Sequence, residues 1–206
     1  MAITTYSELQ TAVSDWLARS DLTARIPDFI SLAEARLNRR LRSRSMITEA
    51  TLNPSTSVKT LALPTGWMET ISFVNDLGDD LEAVTFDELA DLAYGSNSGR
   101  PIYYAIDDEI NFDTVASATY NYTMRYYKRL DLATDLTNTI LTNSPDIYLY
   151  GTLLQAEPFI KNDSRIPVWA EMFMTAINEQ NRQEARNKRA LRTEFTGNSF
   201  NIVRGY

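Results

Sequence analysis

The segment from Asn143 to Arg165 constrains the fold of this 206-residue chain more than any other. Ser144 is a suitable N-cap for a helix, and the side chains from Ile147 to Ile160 are apolar on nearly every face. A helix of this kind is normally enclosed by other helices, and this one is too short to span a bilayer. Gly151 would let a neighbour approach closely, and Pro158 predicts a kink. The sequence therefore predicts a central helix in an α-helical domain.

Apolar periodicity predicts three further helices. The first is expected from Thr5 to Ser20, with Thr5 and Glu8 spaced as a capping box, and the second ends at about Arg42. Their buried faces are expected to hold Leu9, Val13, Trp16 and Leu17 in the first, and Ile26, Phe29, Ile30, Ala33, Leu37 and Leu41 in the second. The last helix is expected from about Ile166 to Thr193. Because its second half, from Glu179 to Arg192, is polar all round, we expect other subunits to support it.

Residues 46–142 have a different pattern, in which short runs rich in Thr, Tyr, Val and Ile alternate with turn residues. This pattern predicts strands of a small, mostly antiparallel sheet. The strands are expected at 46–52, 58–63, 68–74, 81–86, 101–106, 109–112 and 118–127, with a short helix at 87–94. Aromatic side chains alternate between Tyr120 and Tyr126, which is typical of a packed sheet face, with a ligand platform as the alternative.

The predicted fold class is therefore α+β. About four main helices form a bundle that carries an inserted, mostly antiparallel β domain and an extended C-terminal tail. We expect helical domain parts at 1–45 and 143–195, the β-rich insertion at 46–142, and the tail at 196–206.

The chain contains no Cys and no His. This excludes disulfides, Cys or His metal sites, a Ser-His-Asp triad and a Cys-His nucleophile. Motifs of nucleotide-binding loops, EF-hands and nucleophile elbows are also missing. The acidic groups Asp79–Asp80 and Asp107–Asp108–Glu109 could serve a carboxylate-based hydrolase, but they fall in predicted turns, where acids commonly serve turn geometry. We therefore expect no catalytic residue, no cofactor and no metal.

Charge is segregated along the chain. From Gly66 to Ala116, twelve acidic residues stand against Arg100 alone, and this net charge of −11 leaves +4 for the two ends together. The acidic middle is a solvated surface, or it pairs with the ends of another copy, or it presents acid to DNA that must not stick. The first residues lack the features of a signal peptide, and no run has the length of a membrane span, so we expect a soluble protein made in a cytoplasm.

Arginines are concentrated at the end of the second predicted helix, in the run ARLNRRLRSRS. Basic residues at a helix C-terminus interact favourably with the helix dipole. The alternative is a contact with carboxylates of another subunit, or with phosphate. The candidate inter-subunit residues are Arg36, Arg39, Arg40, Arg42 and Arg44. A DNA-binding module would also need a basic cluster, but no aromatic residue is interleaved with these arginines.

The C-terminal residues combine basic and apolar side chains that cannot form a core among themselves. Burying one large apolar side chain is worth ~1.5–3 kcal/mol, so several together could offset the ordering of a tail on a partner. The candidate partner-binding residues are Arg186, Lys188, Arg189, Arg192, Phe195, Phe200, Ile202, Val203 and Tyr206.

Four runs of the sequence, in this order and spacing, resemble the head–tail adaptor proteins of short-tailed bacteriophages, also known as portal adaptor or head completion proteins. The runs are DLTARIPDFISLAEARLNRRLR, LALPTGWMETISF, GRPIYYAI and SPDIYLYGTLLQAEPFIKNDSRIPVW. The resemblance covers most of the chain up to about Trp169. It implies a four-helix domain with a β-rich insertion between the second and third helices, which agrees with the pattern described above.

The resemblance also implies a structural virion protein at the head–tail interface and no enzymatic activity. About twelve copies would form a ring under the portal protein, extend the DNA channel, and give a platform for the tail tube or nozzle protein and the tail fibres. Genomic DNA would pass through the lumen without sequence-specific binding, and no membrane is involved. The last helix and the tail would dock on the portal, so the nine basic and apolar residues above become candidate portal-binding residues.

Overall fold

The computed structural model describes residues 2–93, 98–160 and 164–196, with the side chains of the last helix described as far as Arg186. The chain divides into two compact units. One takes in the described residues of Met1–Ser45 and Leu130–Tyr206, and the other those of Met46–Arg129. The first unit is helical and the second is built mainly of short strands, which confirms the predicted α+β class.

In chain order, the helices are α1 (Tyr6–Leu17), α2 (Ile26–Arg40), α3 (Phe86–Leu92), α4 (Leu132–Asp135), α5 (Thr139–Asn143), α6 (Pro145–Gln155), α7 (Glu157–Ile160) and α8 (Ile166–Thr196). The strands are β1 (Ile47–Leu52), β2 (Thr60–Ala62), β3 (Trp67–Val74), β4 (Glu82–Ala83), β5 (Tyr103–Ile106), β6 (Glu109–Phe112) and β7 (Tyr122–Lys128). A 3₁₀ segment, Ser20–Arg25, joins α1 to α2.

Helix α1 begins at the predicted capping box. The Thr5 hydroxyl accepts a hydrogen bond from the Glu8 amide, and the Glu8 carboxylate accepts one from the Thr5 amide. Leu9, Val13 and Leu17 of the predicted face are buried, but Trp16 is 43% exposed, so its predicted burial is wrong. The three buried residues repeat every four positions and define the inward stripe, and Trp16 falls at the edge of that stripe.

All six apolar residues predicted to be buried on α2 or just after it are buried. Two polar residues, Glu34 and Asn38, are buried with them, and this was not predicted. Glu34 lies four positions after the buried Ile30, and Asn38 lies four positions after Glu34, so both are on the inward face of the helix. Their backbone hydrogen-bond partners, Leu132 and Leu130, lie in the segment that returns from the strands.

Helix α6 is the central helix that the sequence predicts. Ile147, Tyr148 and Leu153 are completely buried. A Cβ added at Gly151 would lie 2.9 Å from Cε2 of Phe173, so the predicted close approach of a neighbour is confirmed and the neighbour is α8. Ser144 occupies the N-cap position, but its hydroxyl donates to Oε1 of Gln180 at 3.3 Å instead of capping the helix.

The kink predicted at Pro158 takes the form of a break between two helices. Helix α6 ends at Gln155, and its last turn tightens where the Ala156 amide donates to the carbonyl of Leu153 at 3.1 Å. Pro158 then lies in the first turn of α7, where its missing N–H leaves no helical hydrogen bond unmade.

The strands form two sheets rather than the single small sheet that was expected. One has the order β1-β7-β3 with antiparallel pairs, and the other has the order β2-β6-β5-β4, in which only the short β4–β5 pair is parallel. The run at 81–86 was predicted as a full strand, but pairing ends at Ala83 because the Thr85 hydroxyl accepts from the Glu88 amide and caps α3.

The alternating aromatic residues of β7 form a packed sheet face. Tyr122, Met124 and Tyr126 are buried and belong to one apolar cluster with Phe73 and other residues of both sheets. The hydroxyl of Tyr122 donates to the carbonyl of Pro101 at 3.0 Å, so the polar end of this buried side chain has a partner. A packed face, rather than a ligand platform, therefore accounts for the pattern.

Residues 130–142, which the sequence analysis assigned to the insertion, pack in the helical unit. The Asn38 side chain donates to the Leu130 carbonyl at 3.1 Å and accepts from the Leu130 amide at 2.9 Å. Helices α4 and α5 follow directly, and Leu132, Ile140 and Leu141 are buried. The chain therefore returns to the helical unit at Leu130, fifteen residues before α6 begins at Pro145.

Candidate assembly surface

The five candidate inter-subunit arginines have different surroundings. Nη1 of Arg42 donates to the carbonyls of Asn38 and Leu41, each at 2.8 Å, so this guanidinium closes the C-terminal end of α2. The side chain of Arg42 therefore interacts with the C-terminus of its own helix, which is the first of the two roles considered for these arginines, rather than with another subunit.

Arg36 and Arg40 lie against α8. The guanidinium of Arg36 is 5.3 Å from the centre of the Phe173 ring, and Nη1 of Arg40 is 3.4 Å from the sulfur of Met174. Arg39 and Arg40 are exposed, and among the described residues neither has a carboxylate partner. These two arginines are therefore available for an acidic group from outside the chain.

Arg44 belongs to a polar cluster around Glu184. Oε1 of Glu184 accepts from the Ser43 hydroxyl at 2.7 Å and from the Arg44 amide at 3.3 Å, while Nε of Arg44 lies 4.0 Å from Oε2. Gln180 donates to the Ser43 hydroxyl at 3.4 Å. These residues border a polar groove of about 650 Å³ that α5 also lines.

This cluster corrects the expectation that other subunits support the second half of the last helix. As far as Glu184, the support comes from the chain itself, through the loop that follows α2. The hydrogen bonds explain how a segment without an apolar stripe packs: its polar side chains meet polar partners. Support from outside the chain stays a prediction for the residues beyond Glu184.

The candidate portal-binding residues lie at the end of the described chain. Arg186 is exposed on α8. Lys188, Arg189, Arg192 and Phe195 fall within α8, and their side chains are outside the described part. The remaining candidates, Phe200, Ile202, Val203 and Tyr206, lie outside the described residues.

The acidic groups considered for hydrolysis occupy exposed turns. Asn75 donates to the Asp79 carboxylate at 3.3 Å and accepts from the Asp79 amide at 3.0 Å. Asp107 accepts from the Glu109 amide at 2.9 Å and from the Asn111 side chain at 3.3 Å. These contacts shape the two turns. Across the described residues, no three Asp or Glu side chains are grouped so that they could hold a metal ion.

Sequence reasoning missed a buried carboxylate, that of Glu34. Oε1 of Glu34 accepts from the Leu132 amide at 2.8 Å and from the Tyr148 hydroxyl at 3.3 Å, and Asn138 donates to the same hydroxyl at 2.7 Å. Burial raises the pKa of Glu34 to about 7, and the negative charges of Asp131 and Asp135 add to this effect. The signal in the sequence was a glutamate inside the apolar stripe of α2, directly after Ala33.

Two further observations bear on the identity of the chain. Of the helices in the described ranges, none is both long enough and apolar enough to cross a bilayer. The sequence matches no protein of the curated collection.

A family model described as SU10 adaptor protein matches residues 4–194. The match takes in both compact units and nearly the whole of α8, so it covers the arginines at the end of α2 and the polar cluster at Glu184. The chain therefore belongs to the SU10 adaptor protein family, which gives it the structural role of a phage head–tail adaptor and makes it a component of the virion.

Proposed function

We propose that this adaptor belongs to a short-tailed bacteriophage and forms a ring of about twelve copies under the portal protein. The ring extends the DNA channel and provides a platform for the tail tube or nozzle protein and the tail fibres. The proposal rests on the family membership and on the four ordered sequence runs from Asp21 to Trp169 that resemble adaptors of short-tailed phages.

The observation that carries portal docking is the length of α8. This helix has 31 residues, which at ~1.5 Å per residue corresponds to roughly 46 Å. Among the side chains of α8 that the structure describes, which end at Arg186, the last buried apolar residue is Ile177, and the intrachain polar contacts reach Glu184. The end of this helix extends beyond the described core and carries four basic residues in its last third. It is therefore suited to bind a partner that carries acidic groups.

The charge distribution supports a channel through which DNA slides. Affinity for duplex DNA comes largely from contacts between basic side chains and phosphates. The strand-rich unit carries the acidic middle of the chain, in which Arg100 is the single basic residue between Gly66 and Ala116. Near DNA, a surface of this composition repels the phosphates and leaves the genome mobile.

Deletion of residues 196–206 tests the docking step. We expect the melting temperature of the isolated chain to change by no more than about 2 °C, because the deleted residues follow the core. Binding to purified portal rings, measured by mass photometry, should weaken at least tenfold. A control variant, Asp91→Arg with Asp108→Arg, changes exposed residues far along the chain from the tail. It should bind the portal normally.

Two outcomes of this experiment are informative in different ways. If the shortened chain binds the portal as tightly as the full chain, the four deleted candidates, Phe200, Ile202, Val203 and Tyr206, are not the binding residues, and docking lies in the part of the chain that remains. If the full chain ignores portal rings altogether, the proposed place of this adaptor in the virion is wrong.

A further inference from the structure

A shallow groove of about 440 Å³ runs between α6 and α8 on the helical unit. Its apolar lining consists of Tyr150, Val168, Met172 and Ala176. Of these, Val168 is 48% exposed and Met172 is 42% exposed. Trp16 continues this apolar surface, because its ring meets the ring of Tyr150 edge-on at 5.8 Å. An apolar surface of this kind, bordered by polar residues, is typical of a contact site for another protein.

The rim of the groove carries one sign of charge. The rim is formed by Asp146, Glu171 and Glu179, which are all exposed, and no basic residue of the described part of the chain lines the groove. Within the described ranges, none of the three forms an ion pair. An occupant that combines an apolar side chain with several positive charges would therefore suit this groove.

The outward face of α2 has that composition. Leu32 is 55% exposed, and Arg36, Arg39 and Arg40 follow it at four, seven and eight residues, which places all four on one side of the helix. Arg36 and Arg40 contact an aromatic ring and a sulfur rather than a carboxylate. We call this surface, from Leu32 to Arg40, the arginine face of α2.

Within one copy, the arginine face does not occupy the groove. Nη1 of Arg40 contacts Met174, whereas Met172 lines the groove, and residues two positions apart on a helix differ by about 200° around its axis. Among the described residues, no arginine of this face forms an ion pair with an acidic residue of the groove. Two complementary surfaces that point in different directions produce head-to-tail contacts, which close into a ring when the rotation allows.

We propose that the arginine face of α2 in one copy binds the acidic, apolar groove between α6 and α8 of the next copy. This inference deepens the proposed function, since it names the two surfaces that join neighbours in the ring. It also assigns the arginines a counterpart other than the acidic middle of the chain. The groove offers apolar contact in addition to charge, whereas the acidic groups at Asp79 and Asp107 occupy separate, exposed turns.

Charge reversal on each surface tests the inference. The first variant carries Arg39→Glu with Arg40→Glu, and the second carries Glu171→Arg with Glu179→Arg. Each variant alone brings like charges together at every contact between copies, so we expect at least tenfold weaker association of neighbours. In an equimolar mixture every contact between the two kinds of copy is again between opposite charges, and rings of alternating composition should form.

The assembly is measured on purified portal rings by native mass spectrometry, which also resolves the composition of mixed rings. The control is Asp91→Arg with Asp108→Arg, which makes the same charge change as the second variant on exposed residues outside both surfaces. Circular dichroism melting confirms that each variant folds. The inference is overturned if either variant alone fills the ring as the wild type does, or if the mixture does not restore ring formation. In both cases portal docking still stands.

A second measurement does not depend on the portal. Because the chain has no Cys, Arg39→Cys and Thr175→Cys each introduce a unique thiol, one on the arginine face and one in the groove. Under mild oxidation, a mixture of the two single variants should give mainly the mixed disulfide dimer, and a chain with both changes should give a ladder of multimers. Crosslinking no greater than with Asp108→Cys in place of Thr175→Cys would contradict the inference. A failure of the wild type to bind portal would instead count against the proposed function.

Discussion

Oε1 of Glu34 lies 2.8 Å from the amide nitrogen of Leu132, inside the helical unit. Burial raises the pKa of this carboxyl group from 4.5 to about 7, so between these values the folded chain holds a proton that the unfolded chain has lost. Stability therefore falls as the pH rises through that window, with a slope of at most ~1.4 kcal/mol per pH unit for one proton.

Glu34→Gln removes this pH dependence. The glutamine carbonyl can still accept from the Leu132 amide, but it carries no charge, so there is no buried carboxylate to desolvate. We expect the variant to be no less stable than the wild type at pH 8 and to lose the decrease between about pH 5 and pH 7. Urea unfolding across this range measures both chains, and parallel stability curves would show that Glu34 does not titrate in the window.

The residues that the sequence did not reveal are those whose partners come from distant parts of the chain. Glu34 bonds to Leu132 and Asn38 to Leu130, across more than ninety residues. In the sequence, each is a polar residue in an apolar stripe, which periodicity treats as an imperfection. The capping box at Thr5, by contrast, joins residues three apart, so it was predicted from the sequence and is present.

At the scale of elements, the same difference between local and long-range contacts separates the features that the sequence predicts from those that it does not. The break near Pro158 and the start of α6 follow from local rules on proline and N-terminal residues, and both are present. The division of the strands into two sheets depends on which strands pair, and β1 pairs with β7 about seventy-five residues later. Strand positions were therefore largely predictable, whereas the sheet order was not.

The contact of α6 with α8 at Gly151 gives a prediction for a helix interface. Gly151→Ala places a methyl group 2.9 Å from the buried Phe173 ring, and overpacking of this kind costs ~1–3 kcal/mol. The alanine regains ~1 kcal/mol of helix propensity, so we expect a net loss of about 1 kcal/mol. In a Phe173→Leu background the ring is gone, and the same substitution should be neutral or stabilising. A double-mutant cycle measured by urea unfolding compares the four chains, and equal effects in both backgrounds would exclude a clash with the ring.

At the scale of the whole molecule, the proposed contacts between copies combine a few apolar side chains with exposed charged groups. An exposed ion pair contributes ~0–1 kcal/mol and weakens as salt screens it, so each contact in dilute solution is weak. In the proposed complex, a portal ring holds neighbouring copies side by side, which raises their effective concentration to roughly millimolar. The number of associated copies, compared with and without portal rings, therefore reveals how the adaptor assembles.

We expect the isolated chain to be a monomer or small oligomer at micromolar concentration, and to form a ring of about twelve copies when portal rings are added. Rising salt should reduce the number of copies per portal before it removes the last ones, because screening weakens contacts between copies more than the apolar part of the docking. Mass photometry at low and high salt, with and without portal, measures this number directly. Stable rings of the chain alone in dilute solution would show that assembly needs no template, and the interface between copies would then have to be larger and more apolar than the arginine face and the groove.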